Sequence, residues 1–199
     1  MGLDELSKLF PYPQRNTAVA SCKHGWLRAG TMAALRAHLG PGTRVVVELG
    51  SWMGKSTRYI AKCAPGASVI AVDHWCGSAE HHLQPVWRAM LPELYETFVV
   101  NCWKYRERII PLRMSTLGGM ELIASLGIVP DLVYIDAGHD TKSVLDDISM
   151  ALSLFPNARL VGDDFDAPCV EAAVKRSLIV YAHNRTAWWS LRRGDFRES

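Results

Sequence analysis

Runs of apolar, β-branched residues recur along the chain at Arg44–Leu49, Ser68–Val72, Arg108–Leu112, Asp131–Ile135 and Arg159–Val161. Within them VVVEL, VIAV and LVYI show little polar alternation, the pattern of strands covered by helices on both faces. Lys55–Cys63, Pro92–Trp103, Leu117–Leu126, Lys142–Leu154 and Pro168–Ser177 carry apolar residues at spacings of three and four, with Gly or Pro near most ends. Strands alternating with helices predict an α/β fold around a parallel sheet. Gly25–Leu39 predicts a further amphipathic helix, closed by Gly40-Pro41-Gly42. Residues 1–24, with Pro11 and Pro13, predict an extended lead-in to a single domain over 25–199. Leu178–Ala182 and Thr186–Arg192 are short β-prone runs around His183-Asn184-Arg185, which predicts a terminal hairpin pair.

Composition removes several classes of function. Of 199 residues, 49% are hydrophobic and 21% charged, far from the signature of disorder. Twenty-two basic against 20 acidic residues leave a net charge of +2, with only a basic edge near Arg185 to Arg197, so no nucleic-acid partner is expected. No apolar run reaches the roughly 18 residues of a membrane span, and MGLDELSKLF lacks the start of a signal peptide; a cytoplasmic location is the expectation. Five scattered cysteines without CxxC are expected to stay reduced.

In an open parallel sheet the ligand lies beyond the carboxyl ends of the strands, near the point where strand order reverses. Those ends carry small and polar residues here: Glu48-Leu49-Gly50-Ser51-Trp52-Met53-Gly54, Asp73-His74-Trp75, Arg113-Met114-Ser115, Asp136-Ala137-Gly138-His139 and Gly162-Asp163-Asp164. The first turn, with Gly50 and Gly54 before Lys55-Ser56-Thr57, allows close approach of a ligand. It also ends like a phosphate-binding P-loop. A P-loop, however, has four residues between its glycines and this turn has three, with Leu49 at the first glycine position. A dinucleotide fingerprint fails because Trp52 holds its second glycine position. An acid ending the second strand suits ribose hydroxyls, which points to an adenosine-type ligand without a pyrophosphate. The alternatives are a buried Glu48 capping local amides and Asp73 as a helix cap or loop charge.

ELGSWMG, VIAVDHW, DLVYIDAGHD and LVGDDF, in this order over roughly residues 25–192, resemble a class I S-adenosylmethionine-dependent methyltransferase. The IDAGH and GDDF pair is similar to the small-molecule O-methyltransferases related to macrocin O-methyltransferase and to cephalosporin hydroxylase-like proteins. The resemblance implies a Rossmann-like, mostly parallel seven-stranded sheet with an antiparallel last strand. It places Glu48 to Gly54 at the methionine part of the cofactor and Asp73 at its ribose. Ser51, Trp52, Ser56, His74, Trp75, Ser115 and Asp136 complete the expected cofactor contacts.

Asp136, Asp163 and Asp164 leave adjacent strands at one rim, and clustered carboxylates repel unless a cation joins them. Hard oxygen donors suit Mg²⁺, with Mn²⁺ as the alternative, and related metal-dependent methyltransferases carry ligands at matching strand ends. The competing reading has Asp163 or Asp164 bonding loop amides and Asp136 touching the cofactor amine. His139, three residues after Asp136, is the candidate general base for a hydroxyl acceptor, or else a cap of the following helix. His74, Cys76, His81 and His82 fit no standard zinc spacing. Trp52, Trp75 and Trp87 are candidate pocket walls or core; Trp188 and Trp189 should face opposite ways. The expected function is O-methylation of a small hydroxylated molecule, a sugar or phenol, helped by a divalent metal and by His139, in a homodimer. A P-loop-like nucleotide hydrolase and a non-catalytic cofactor-binding scaffold are the rivals.

Overall fold

The computed structural model describes residues 2–177 and 179–192. The strands are β1 (Val45–Leu49), β2 (Ser68–Asp73), β3 (Ile109–Arg113), β4 (Leu132–Ile135), β5 (Arg159–Gly162), β6 (Tyr181–His183) and β7 (Trp188–Ser190). The helices, among the described residues, are α1 (Gly2–Leu9), α2 (Ala29–His38), α3 (Lys55–Cys63), α4 (Ala79–Leu83), α5 (Pro85–Arg88), α6 (Leu94–Cys102), α7 (Thr116–Ser125), α8 (Thr141–Leu154) and α9 (Pro168–Arg176). The sheet runs β3-β2-β1-β4-β5-β7-β6; β7 is antiparallel to both its neighbours and the other paired strands are parallel. The expected α/β fold, with its antiparallel last strand and hairpin partner, is thus present. Leu178, the first residue of the predicted hairpin run, and 193–199, with Arg193 and Arg197 of the basic edge, lie outside the described residues.

The unbroken apolar strands follow from a sheet buried on both faces. Val45, Val47 and Leu49 pack with Val72, Ile110 and Ile135 on one side, whereas Val46 packs with Val69, Ala71 and Tyr134 on the other. Strand alternation splits VVVEL between two cores and turns Glu48 onto the second. Trp188 is fully buried and Trp189 partly so, as the same alternation requires. Pairing of Leu49 with Val72 and Ile135, and of Ile135 with Gly162, ends the central strands level. The loops after β1, β2, β4 and β5 therefore rise along one rim, at the reversal of order between β1 and β4.

Two expectations about the first 39 residues are corrected. The lead-in is not wholly extended: α1 forms within it and seats Leu6, fully buried, in the core beside Ile123 and Ile128. One anchoring leucine on an eight-residue helix leaves little periodicity to read. The second helix starts at Ala29 rather than Gly25, because Arg28 stays extended and its guanidinium reaches the exit of β5. No helix among the described residues is long and apolar enough to cross a membrane.

Candidate functional site

A cavity of about 750 Å³ opens over the rim, within the range of small-molecule sites. Its floor is the turn after β1. Gly50 has φ +86°, and a Cβ there would stand 2.1 Å from the Asp136 carbonyl oxygen, so β1 and β4 exits can touch only through a glycine. Gly54, at φ +77°, is the N-cap from which the chain enters α3, and it packs where a side chain would strike Cys102. The Asp73 carboxylate fixes this turn from β2: Oδ2 accepts the amides of Ser51 and Trp52, both at 2.9 Å, and Oδ1 accepts Trp75 N–H at 2.6 Å. Trp52, Trp75 and Asp164 are the non-glycine residues with positive φ among those described, each in a loop leaving the rim. Such conformations cost about 1–3 kcal/mol each and persist where the surroundings dictate them.

Beneath the turn, Glu48 is fully buried. Its Oε2 accepts from Ser51 Oγ at 2.7 Å and from Thr57 Oγ1, while Oε1 has no partner of hydrogen-bond geometry. Burial pushes its carboxyl up to about 7, against the hydroxyls of Ser56, Thr57 and Ser51. Asp136, held by Tyr134 O–H at 2.9 Å, is likewise pushed up to about 7, chiefly by burial.

The opposite wall comes from segments distant in sequence. His139 Nδ1 lies 2.9 Å from Glu80 Oε1 of α4, and Nε2 lies 3.0 Å from Asp164 Oδ2 and 3.9 Å from Asp136 Oδ1. Asp136, then Asp164 and Glu80, raise the imidazole to about 11, so it is protonated in this arrangement. Arg28 Nη2 meets Asp164 at 2.6 Å and Asp163 at 3.1 Å, and Nη1 meets both oxygens of Asp166 at 2.8 and 2.9 Å. Above them His81 stacks on Trp52 at 4.3 Å, with Trp26 and Trp87 closing the cluster. These contacts fasten the 78–90 segment over the rim.

A family model described as a methyltransferase domain matches residues 47–165, the stretch that builds the rim from β1 to β5. The chain belongs to this family of S-adenosylmethionine-dependent methyltransferases. No curated protein matches it. Among solved structures, cofactor-bound Rv0187 from MTB is similar at 20% identity and a TM-score of 0.56, over 96% of this chain and 88% of that one. CalS11, a calicheamicin methyltransferase, is similar at 15% identity and 0.55, over 83% and 78%. An O-methyltransferase family protein from Burkholderia thailandensis is similar at 14% identity and 0.50, over 81% and 55%.

The methyltransferase's residues fit a cationic, hydroxyl-bearing cofactor. A buried carboxylate with an orphaned oxygen lies under the turn, Asp136 stands at the neighbouring exit, and Asp73 Oδ1, which accepts only the Trp75 amide, keeps a lone pair for a hydroxyl. Gly50, Ser51, Trp52, Ser56, Asp73, His74, Ser115, Asp136, His139 and Asp164 all line the cavity. Ser115 also caps α7 by accepting Gly118 N–H.

Four expected residues do not line the cavity: Glu48 lies buried beneath the turn, Gly54 packs against Cys102 and Phe98, and Trp75 and Asp163 stand elsewhere. Trp75 is buried against Tyr95 and Phe98, its indole N–H given to the Trp52 carbonyl, so it braces the turn from behind. Asp163 is buried too, its Oδ1 accepting Thr31 Oγ1 at 2.6 Å and the Asp164 amide at 2.8 Å besides Arg28. The three aspartates therefore do not converge. Among the described residues, Asp136, His139 and Asp164 are the group able to hold a metal ion, with donor atoms within 4.8 Å of one another. His74, Cys76, His81 and His82 form no such group.

His139 does not cap α8; Asp140 does, accepting Ser143 N–H at 3.0 Å. Lys55, the residue a P-loop would use, gives its ammonium to the Gly25 carbonyl at 2.6 Å. Trp26, Arg28 and Glu80 were not read from the sequence, since nothing in their spacing ties them to the rim. His81 was weighed only for zinc.

Proposed function

We propose that this methyltransferase transfers a methyl group to a hydroxyl oxygen of a small molecule, with His139 as general base. The observation that supports it is His139 in the cavity lining with Glu80 2.9 Å from Nδ1 to fix the ring; Nε2 is buried 3.0 Å from Asp164, so an acceptor would reach it by displacing that carboxylate. Glu48, Gly50, Ser51 and Asp73 would hold the cofactor, which supplies an electrophilic methyl on sulfur when bound. Rate then comes from holding the acceptor oxygen in line with that methyl and removing its proton. Asp136 orients and balances charge at the same exit. Protonated His139 cannot act as a base, so the reaction draws on its neutral form, and a positive charge arriving beside Asp136 increases that fraction. The likeness to CalS11, titled TDP-rhamnose 3'-O-methyltransferase, and to an O-methyltransferase family protein supports oxygen as the target.

A metal-assisted route is the second reading, favoured by the Asp136–His139–Asp164 spacing. With an imidazole among the donors this set suits Mn²⁺ better than the Mg²⁺ expected for three aspartates. Nε2 cannot be both ligand and base. The two readings separate on His139→Ala and on chelation. The base reading expects His139→Ala to lose about a hundredfold to ten-thousandfold in kcat, with S-adenosylhomocysteine affinity kept and EDTA without effect. Activity lost to EDTA and restored by Mn²⁺ replaces it with the metal reading, and full activity in His139→Ala overturns both.

A further inference from the structure

We propose that the acceptor is a flat-ringed molecule that is neutral or positively charged where it enters the cavity, and that the site rejects acceptors bearing phosphate or carboxylate. This rests on the O-methyl transfer reading and names the substrate class of the same site.

Two independent features carry it. The first is aromatic. Trp26, 47% exposed, stands 5.7 Å from Trp52 and 5.4 Å from Trp87, and all three line the cavity. Indole faces stack on planar rings and carry a negative potential that attracts cations. A tryptophan left half in solvent at the mouth of a cavity keeps such a face available.

The second is the state of the charges. The wall carries the carboxylates of Glu80, Asp136, Asp147 and Asp164, with Asp147 buried and fastened by Thr116 Oγ1 at 2.6 Å. Its strong cations are Arg28, which is matched by carboxylates, and Lys55, which is held by a neutral carbonyl and keeps its charge. Arg28 gives Nη1 to Asp166 and Nη2 to Asp163 and Asp164, and the Lys55 ammonium goes to the Gly25 carbonyl. His139 is enclosed by Glu80, Asp136 and Asp164. An entering phosphate or carboxylate would find Lys55 as the one strong cation without a carboxylate partner and would otherwise stand among like charges, where juxtaposition is costly. A cationic or neutral acceptor gains from both the carboxylates and the indoles.

The test uses three phenols of one shape and different charge: tyramine, para-ethylphenol and para-hydroxyphenylpropionate. Each is titrated calorimetrically into the full chain saturated with S-adenosylhomocysteine, and methyl transfer from labelled cofactor is measured separately. Tyramine should bind about tenfold or more tightly than the propionate, with the ethylphenol between them. Trp26→Ala and Trp87→Ala should each weaken tyramine about fivefold while S-adenosylhomocysteine affinity stays within about threefold. Equal or tighter binding of the propionate, or no binding of any of the three, overturns the proposal. If the charge order holds but no phenol is methylated on oxygen, the acceptor class stands and the O-methyl reading falls. Methylation of the propionate in preference to tyramine overturns the acceptor class alone.

Discussion

The cavity has two walls built on different principles. One is made where β1, β2 and β4 end together, and its parts (the Gly50 turn, Asp73, Glu48, Asp136) are held by strand register and backbone amides. The other is made by side chains from residues 24–28 and 78–90, brought against His139 and Asp164 by ion pairs and ring stacking. A wall tied to the sheet inherits the rigidity of the core, whereas one made of short helices and loops depends on a few contacts that solvent can compete for. The arrangement suits a cofactor site common to a family beside an acceptor site particular to one chain.

The comparison breaks most severely at Gly50. Gly50→Ala places a methyl 2.1 Å from the Asp136 carbonyl at a φ of +86°. We expect S-adenosylhomocysteine affinity to fall about a hundredfold or more by calorimetry, with the far-ultraviolet circular dichroism of the sheet retained. A change of less than about threefold would show that the turn is not the seat of the cofactor.

Glu80→Gln tests the other wall. It removes the carboxylate that orients Nδ1 of His139, so kcat should fall about tenfold with cofactor affinity unchanged, and Glu80→Asp should recover part of the loss. The pH profile moves as well. A base raised above its ordinary 6.5 makes the rate climb with pH through neutrality, and removal of one raising carboxylate shifts that climb to lower pH. An unmoved profile would leave Glu80 a surface contact only.

A further effect is on stability. Burial raises the Glu48 carboxyl from 4.5 to about 7, so the protonated form is favoured in the folded chain. The stability this contributes is full below about pH 4.5 and is lost as pH rises through about 7, a span worth roughly 3 kcal/mol at 1.36 kcal/mol per pH unit. Glu48→Gln, read by urea denaturation across that window, should remove this part of the pH dependence.

The same contrast governs what could be read from the sequence. VVVEL, VIAV and LVYI announced their strands because burial on both faces imposes unbroken apolar runs, and the rim followed because parallel strands must exit at one edge. Asp73 and Glu48 were identifiable by position alone. Trp75 was not: it stands two residues after Asp73, yet a left-handed backbone at φ +49° turns its ring into the core. Asp163 and Asp164 are adjacent and chemically identical, and the positive φ of Asp164 separates a buried partner of Thr31 from a residue facing the cavity. Arg28 lies 136 positions from Asp164 and Glu80 lies 59 from His139, distances at which no local pattern records a contact.

The most direct measurement of this division is calorimetric titration of S-adenosylhomocysteine into the unsubstituted chain, Asp73→Ala and Trp26→Ala. The account predicts micromolar binding to the unsubstituted chain, retained within about threefold in Trp26→Ala and weakened about a hundredfold or more in Asp73→Ala. Absence of binding to the unsubstituted chain, or a loss in Trp26→Ala equal to that in Asp73→Ala, would contradict it.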